Sequence, residues 1–244
     1  MITYRMMDQQ TLLCRCMHGG GVPIADAVNV IPQVSQEIVE RFLRTLVKIY
    51  GSCGVLALDG DTIIGVLWFY PQWLKQKFGG PICIQGENYD ALTAFDILTM
   101  PQIYALPSKT LHIDCMMVTR SESADYAGRG IGKGMIQQTI AWAKQNGWAR
   151  IEAQAISDIK PLMLWAGAYT VARYQALGFE IVEGKNTTNP GLLEGANSQK
   201  LGYHGAEFQQ MWEDRYAHMS DEQISRVYTM ALDLISHQPF PEGV

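Results

Sequence analysis

Leu111-His112-Ile113-Asp114-Cys115-Met116-Met117-Val118, then a polar turn, then Gly128-Arg129-Gly130-Ile131-Gly132-Lys133-Gly134, is the stretch whose reading decides the fold. The first run alternates as a strand does. After the glycines, Met135, Ile136, Thr139, Ile140 and Ala143 fall at the 3, 4, 7 spacing of an amphipathic helix that Gly147 ends. Strand, glycine turn and helix N-terminus in that order make a place for phosphate. Glycines let the backbone come close, the first-turn N–H groups lack partners, and the helix dipole favours an anion.

The rest of the chain sets bounds on that reading. Its 244 residues suit one large domain or a core with an extension better than two full domains. A 48% hydrophobic and 18% charged composition permits a sizeable core. The net charge of −5 argues against a nucleic-acid partner, which wants a basic face, and fits a cationic acceptor. Five cysteines (Cys14, Cys16, Cys53, Cys83 and Cys115) form no CxxC pair, as expected of reduced thiols in a cytoplasmic protein. The longest uncharged apolar run, Ile63 to Tyr70, has eight residues; a membrane span needs roughly 20. MITYRMMDQQ at the start lacks the basic-then-apolar pattern of a secretory signal, so no membrane partner is expected.

Upstream of the glycine turn, a short strand is expected near Tyr4–Met6, then a helix carrying Leu12, Leu13 and Cys16. A second helix runs from the cap Ser35 to Tyr50, with Ile38, Val39, Phe42, Leu43, Leu46 and Val47 on one face. Val55–Leu58 and Thr62–Tyr70, around Asp59-Gly60-Asp61, read as a β-hairpin. Residues 71–110 form an irregular insert with Trp73, Phe78, Tyr89 and Tyr104 and a candidate helix over Asp90–Leu98, a pattern suited to a lid or pocket wall. Downstream, Ile151–Ala155 reads as a strand, 156–167 as irregular, Ala168–Leu177 as helix and Phe179–Val182 as strand. Residues 183–203 are polar and glycine-rich, and Gln209–Trp212 suggests one more strand. A last helix opens on the capping box Ser220-x-x-Gln223 and carries Ile224, Val227, Tyr228, Ala231, Leu234 and Ile235. The expected division is a core over 1–189 and a helical extension over 190–244.

Three phosphate signatures compete for the glycines. A Walker A loop, G-x-x-x-x-G-K-S/T, would put Ala127 at its first glycine and Gly134 at its Ser/Thr. The dinucleotide pattern G-x-G-x-x-G finds Lys133 or Met135 at its third glycine. The third fits: Gly130 and Gly132 end the pattern Q/R-x-x-G-x-G/A, and the stretch resembles the acetyl-CoA loop of the GNAT superfamily of N-acetyltransferases. Ala172-Arg173-Tyr174-Gln175-Ala176-Leu177-Gly178-Phe179 resembles that family's F-Y-x-x-x-G-F signature, in the right order downstream. Ala127 stands where the family has Gln or Arg, and Arg173 where it has Phe.

The resemblance implies an α/β (α+β) fold with a mixed, strongly bent sheet flanked by helices. It implies acetyl-CoA as co-substrate, no metal, and direct attack by a primary amine in a ternary complex. Pyrophosphate would sit on the N–H groups of residues 129–134, with Arg129, Gly130, Ile131, Gly132, Lys133 and Gly134 as contacts. The thioester oxygen would meet a backbone N–H near the strand end, at Met117 or Val118. Tyr174 would protonate the leaving thiolate. The base would be Asp114, His112 or a water they hold, two residues apart and so on one face of the strand; Glu122 and Asp125 are weaker candidates. The acceptor would be a small-molecule or peptide amine, and a homodimer is compatible. Two rival expectations stand beside this: a catalytically degenerate CoA-binding sensor or structural protein, and a P-loop nucleotide-binding protein.

Overall fold

The computed structural model describes residues 1–13, 21–24, 34–78, 109–119, 126, 128–166, 168–200 and 206–234. In chain order the elements are β1 (Ile2–Met6), β2 (Val22–Pro23), α1 (Val34–Tyr50), β3 (Gly54–Asp59), β4 (Thr62–Pro71), α2 (Gln72–Phe78) and β5 (Thr110–Val118). Then come α3 (Ile131–Gln145), β6 (Arg150–Ile156), α4 (Lys160–Ala166), α5 (Val171–Gln175), β7 (Glu180–Ile181), β8 (Thr187–Thr188), α6 (Gly191–Lys200), α7 (Ala206–Arg215), α8 (Asp221–Ser225) and β9 (Arg226–Asp233). The strands form one open sheet in the order β1-β3-β4-β5-β6-β9-β7, with β2 against β4 and β8 against β9. Only β5 and β6 run parallel among the described strand pairs, and α3 is the crossover between them. The result is a mixed α/β fold with helices on both faces of a mostly antiparallel sheet.

Hydrophobic burial on both faces fixes this arrangement. On one face Ile131, Met135, Ile136 and Ala143 of α3 pack on Val55, Ile64, Leu67, Phe69, Leu111 and Ile113. On the other, Phe42, Leu43, Leu46 and Val47 of α1 pack on Leu56, Val66, Trp68 and Tyr70. Being covered on both faces, β4 is buried from Ile63 to Pro71, as its unbroken apolar run requires. A third cluster gathers Leu162, Met163, Leu192, Ala196, Trp212, Ile224 and Val227 from α4, α6, α7, α8 and β9.

Several sequence expectations need correction. The capping box forms, with Ser220 accepting from the Gln223 N–H and Gln223 accepting from the Ser220 N–H, but its helix ends at Ser225. Residues 226–233 continue as β9, paired with β6 from Ile156↔Val227 to Arg150↔Asp233. The expected terminal helix is therefore an internal strand of the sheet. Gln209–Trp212, expected as a strand, lies in α7 with Trp212 buried. The irregular stretches hold α4 and α6, and the helix expected over Ala168–Leu177 shortens to α5. Leu12 and Leu13 are buried but not helical, and Ser35 lies inside α1 rather than capping it. Most of the 71–110 insert, including Tyr89, Tyr104 and the candidate helix over Asp90–Leu98, lies outside the described residues, as do Glu122, Asp125 and Ala127. Among the described residues no helix is long and apolar enough to cross a membrane, and no group of three or more His, Cys, Asp or Glu could hold a metal.

Candidate active site

The site begins where two parallel strands part. β5 and β6 pair only from Thr110↔Arg150 to Ile113↔Ala153. Beyond that point β5 stays on β4 while β6 stays on β9. The place beside β6 is filled instead by the entry to α5: the Ile156 N–H donates to the Tyr169 carbonyl at 3.1 Å, and Ile156 bridges Thr170. Among the described residues, 114–118 have no strand along the edge that parts from β6. The Thr119 N–H donates to Ile64 O at 2.8 Å. By the alternation of an antiparallel ladder, the N–H groups of Met117 and Cys115 turn toward β4, and those of Met116 and Val118 turn toward the open edge. Of the two strand residues expected at the cofactor, Val118 is the one that offers its N–H.

Asp114 is where the ladder slips. Trp68 pairs with Cys115 and Phe69 with Ile113, which makes Asp114 an extra residue, a β-bulge. The bulge resets the alternation. Leu111 and Ile113 face α3, whereas two positions on Cys115 and Met117 face α1, and Met116 and Val118 return to the α3 side.

On the α3 side, the helix N-terminus sits over the open edge. Gly128 and Gly130 both adopt left-handed backbone, at φ 74° and 75°, which a side chain would strain. The first intrahelical bond runs from Gly134 N–H to Gly130 O at 2.9 Å. The N–H groups of Ile131, Gly132 and Lys133 thus have no intrahelical acceptor, and among the described residues no side chain caps them. Arg129 and Lys133 are exposed beside them, the Arg129 guanidinium resting 5.5 Å from the Tyr126 ring centre. Gly132 lies so close to β5 that a Cβ there would meet the Met116 sulfur at 3.1 Å and the Tyr169 ring at 3.3 Å. At the end of β5 the Thr119 hydroxyl is buried with no hydrogen-bond partner among the described residues.

Tyr174 is delivered to the same side by α5. Asp158 accepts from the Ala172 N–H at 3.0 Å, tying the first turn of α5 to the end of β6. The Tyr174 ring then stands edge-on to Tyr169 at 5.3 Å and against Phe179 at 4.9 Å. Burial raises its phenol above the usual value, and the nearby Tyr169 and Cys115 add to the rise. The group stays protonated through the ordinary pH range.

His112 and Asp114 occupy the other face. The His112 ring lies 5.8 Å from Tyr70, in the α1-side core. Its residue is 4% exposed, and burial lowers its pKa from 6.5 to about 3, with the Lys75 ammonium adding to the effect. Asp114 is buried too, its carboxylate 3.9 Å from Lys75 Nζ. The expected trio is therefore split, with Tyr174 on the α3 side and His112 and Asp114 on the α2 side of the parting strands.

The sequence model of the acetyltransferase (GNAT) family matches residues 32–161, just over half of the chain. The chain belongs to the GNAT family. No curated protein matches it in sequence. Among solved structures it is similar to the Escherichia coli ribosomal-protein-S18-alanine N-acetyltransferase (9% identity, TM-score 0.45, 98% of this chain and 99% of that one covered). It is also similar to a Drosophila melanogaster polyamine N-acetyltransferase (13%, 0.46, 96% and 100%) and to a Salmonella typhimurium protein solved with its cofactor acetyl-CoA (11%, 0.46, 100% and 99%).

Four side chains around this candidate site escape sequence reasoning. Lys75 and Gln72 belong to a seven-residue helix hidden in the insert. The Gln72 amide oxygen is buried without a hydrogen-bond partner among the described residues, as is His112 Nδ1. Glu152, the register partner of His112 on β6, is buried yet ion-paired to Arg150 at 3.3 Å and Lys185 at 3.4 Å. Tyr169 supplies both the β6 bond and a wall for Tyr174. A charged residue at an inward position of an apolar strand was the one available signal, and it pointed only to Glu152.

Proposed function

We propose that the chain is an N-acetyltransferase that moves an acetyl group from acetyl-CoA to a primary amine by direct attack in a ternary complex. One observation carries this reading: among the described residues, the edge of β5 at 114–118 carries no strand and faces a glycine-bounded helix N-terminus whose first three N–H groups are uncapped. Those features fit the co-substrate. The N–H groups of Ile131, Gly132 and Lys133 would hold its pyrophosphate, with Arg129 and Lys133 adding charge and Gly130 keeping the backbone accessible, while Gly134 is taken up by Tyr4 and by its own bond to Gly130. When bound, acetyl-CoA supplies the activated acetyl thioester.

The remaining roles fall to the chain itself. The Val118 N–H, on the open edge, would accept the build-up of negative charge on the thioester oxygen. Tyr174, held protonated by its burial, would return a proton to the departing thiolate. Burial holds His112 neutral, and its Nδ1 has no hydrogen-bond partner among the described residues. A group so weakly basic suits passing a proton along, through a water, rather than keeping it, and Asp114 beside it supplies the negative charge toward which the proton moves.

The test is release of free CoA thiol with stoichiometric acetylated product, across a panel of polyamines, arylalkylamines and peptide N-termini. Release that needs both acetyl-CoA and an amine is the expected result. Tight CoA binding with no thiol released on any amine would sink the enzyme reading in favour of a CoA-binding sensor.

A further inference from the structure

We propose that Gln154 selects the acceptor by hydrogen bonding an amide that the substrate carries beside its amine, as a peptide N-terminus does. This rests on the transferase reading above and narrows its substrate class. The starting observation is a break in burial. Of the seven residues of β6 only Gln154 is exposed, between the buried Ala153 and Ala155. Ile151, Ala153 and Ala155 point into the α3-side core. By the alternation of a strand, Glu152, Gln154 and Ile156 point to the opposite face. Glu152 and Ile156 are buried on that face. Gln154 is thus a gap one residue long in a covered surface.

Two groups of helices cover that surface. On one side α1 packs on β3 and β4, and α2 on β4 and β5. On the other, α4, α6, α7 and α8 gather on Ile156 and Val227. Among the described residues, Gln154 lies where neither cover reaches. It is also the first residue of β6 past the last pair with β5, Ile113↔Ala153. A molecule resting on it lies beside the parting of the strands, with the N-terminus of α3 on the far side. Acceptor and acetyl-CoA can then meet from opposite faces, as direct attack requires. The floor of the gap is polar but uncharged. The register partner of Gln154 is Thr229, whose hydroxyl donates to Lys185 O at 3.1 Å and keeps its own lone pairs for another donor. The Gln154 carboxamide, with no hydrogen bond among the described residues, offers one acceptor and two donors. The carboxylates on either side are engaged, Glu152 by Arg150 and Lys185 and Asp114 by Lys75. Glu180 of β7, alongside Ala231, stands two strands across, roughly 10 Å away. A second ammonium, as on a polyamine, finds no unengaged carboxylate at Gln154, whereas an amide group answers both ends of the carboxamide.

The experiment is thiol release by the full chain in wild type, Gln154→Leu and Gln154→Glu, on a dipeptide amide, phenethylamine and a linear diamine. Wild type should show its highest kcat/KM on the dipeptide. Gln154→Leu should lower that value about three- to tenfold through the acceptor KM, the loss expected of one hydrogen-bonding side chain. Phenethylamine turnover and the KM for acetyl-CoA should not change. Gln154→Glu keeps the length but places a carboxylate in the gap, so it should raise kcat/KM for the diamine relative to the dipeptide. An equal loss on dipeptide and phenethylamine, or no loss on either, would make Gln154 a solvated surface residue and overturn the proposal. Should the variants fail to fold, the wild-type ranking decides, and a preference for the diamine or phenethylamine over the dipeptide overturns it. Wild type that binds acetyl-CoA yet releases no thiol with any amine sinks the transferase reading first, and this role with it.

Discussion

The two faces of β5 are built from different materials. On the α3 side the site is backbone: uncapped N–H groups, two left-handed glycines, and a third glycine pressed against Met116 and Tyr169. On the α2 side it is side chain: His112, Asp114 and Lys75, brought together from a bulged strand and a short helix. Backbone donors carry no titratable proton, so the first face should bind its ligand with little regard to pH. The second is a balance of charges in a place that water scarcely reaches, and it should respond steeply. Substitutions on the two faces ought to separate accordingly.

The largest effect is expected where the faces meet in one chemical step. Tyr174→Phe removes the phenol without disturbing the ring contacts to Tyr169 and Phe179. If Tyr174 is the proton donor, kcat should fall by ~10²–10⁴-fold while KM for acetyl-CoA barely moves. Steady-state thiol release reads both parameters. Since burial raises this phenol, wild-type kcat should show no falling limb from its ionisation up to about pH 10. Equal turnover in Tyr174→Phe would make the tyrosine a packing residue.

Next comes the pH response of stability on the α2 face. His112 has a folded pKa near 3 against 6.5 as its ordinary value. Between those values the unfolded chain binds a proton there and the folded chain does not. Acid therefore favours unfolding: the contribution is intact above about pH 6.5 and is lost as pH falls. One such proton changes stability by at most about 1.4 kcal/mol per pH unit. Urea unfolding at pH 6.5, 5.5 and 4.5 should show His112→Gln losing stability less steeply than wild type. Parallel slopes would place His112 in contact with water after all.

The contrast also explains what could be read without a structure. The α3 face was legible because its information is local: glycine spacing, helical period and strand alternation all lie within Leu111–Gly147. The hairpin around Gly60 was legible for the same reason. The α2 face was half legible. His112 and Asp114 stood out as polar residues in an apolar strand, but the bulge that moves Asp114 depends on the pairing with Trp68 and Phe69, and α2 is too short to announce itself after Pro71. The error over 226–233 has a different source. Ile224, Val227, Tyr228 and Ala231 satisfy a helical period, and the same segment satisfies alternation through Tyr228, Met230 and Leu232, which pack on the α3-side core. What decides between them is the ladder to β6, a partner some seventy residues away in sequence, and no local pattern carries that.

On the backbone face, Gly130→Ala should cost about 1–2 kcal/mol, the penalty for a side chain in left-handed backbone. It would read as a fall of several degrees in the melting midpoint. Acetyl-CoA affinity should fall with it, since relieving the strain means turning the N–H groups of the first turn away. An unchanged midpoint would show that the loop tolerates another conformation.

The smallest effect tests whether charge matters on that face at all. Arg129 is exposed and already rests on the Tyr126 ring, so its contribution to an anion at the helix terminus is screened by solvent. Such exposed charges near a helix N-terminus are worth ~0.3–1 kcal/mol, which translates into a rise in KM for acetyl-CoA of up to about fivefold for Arg129→Gln. The rise should shrink as salt is added, and kcat should stay put, because the guanidinium is distant in role from the proton transfers. A loss of tenfold or more that survives high salt would mean that Arg129 grips the ligand directly, and that the α3 face depends on side chains as much as its opposite does.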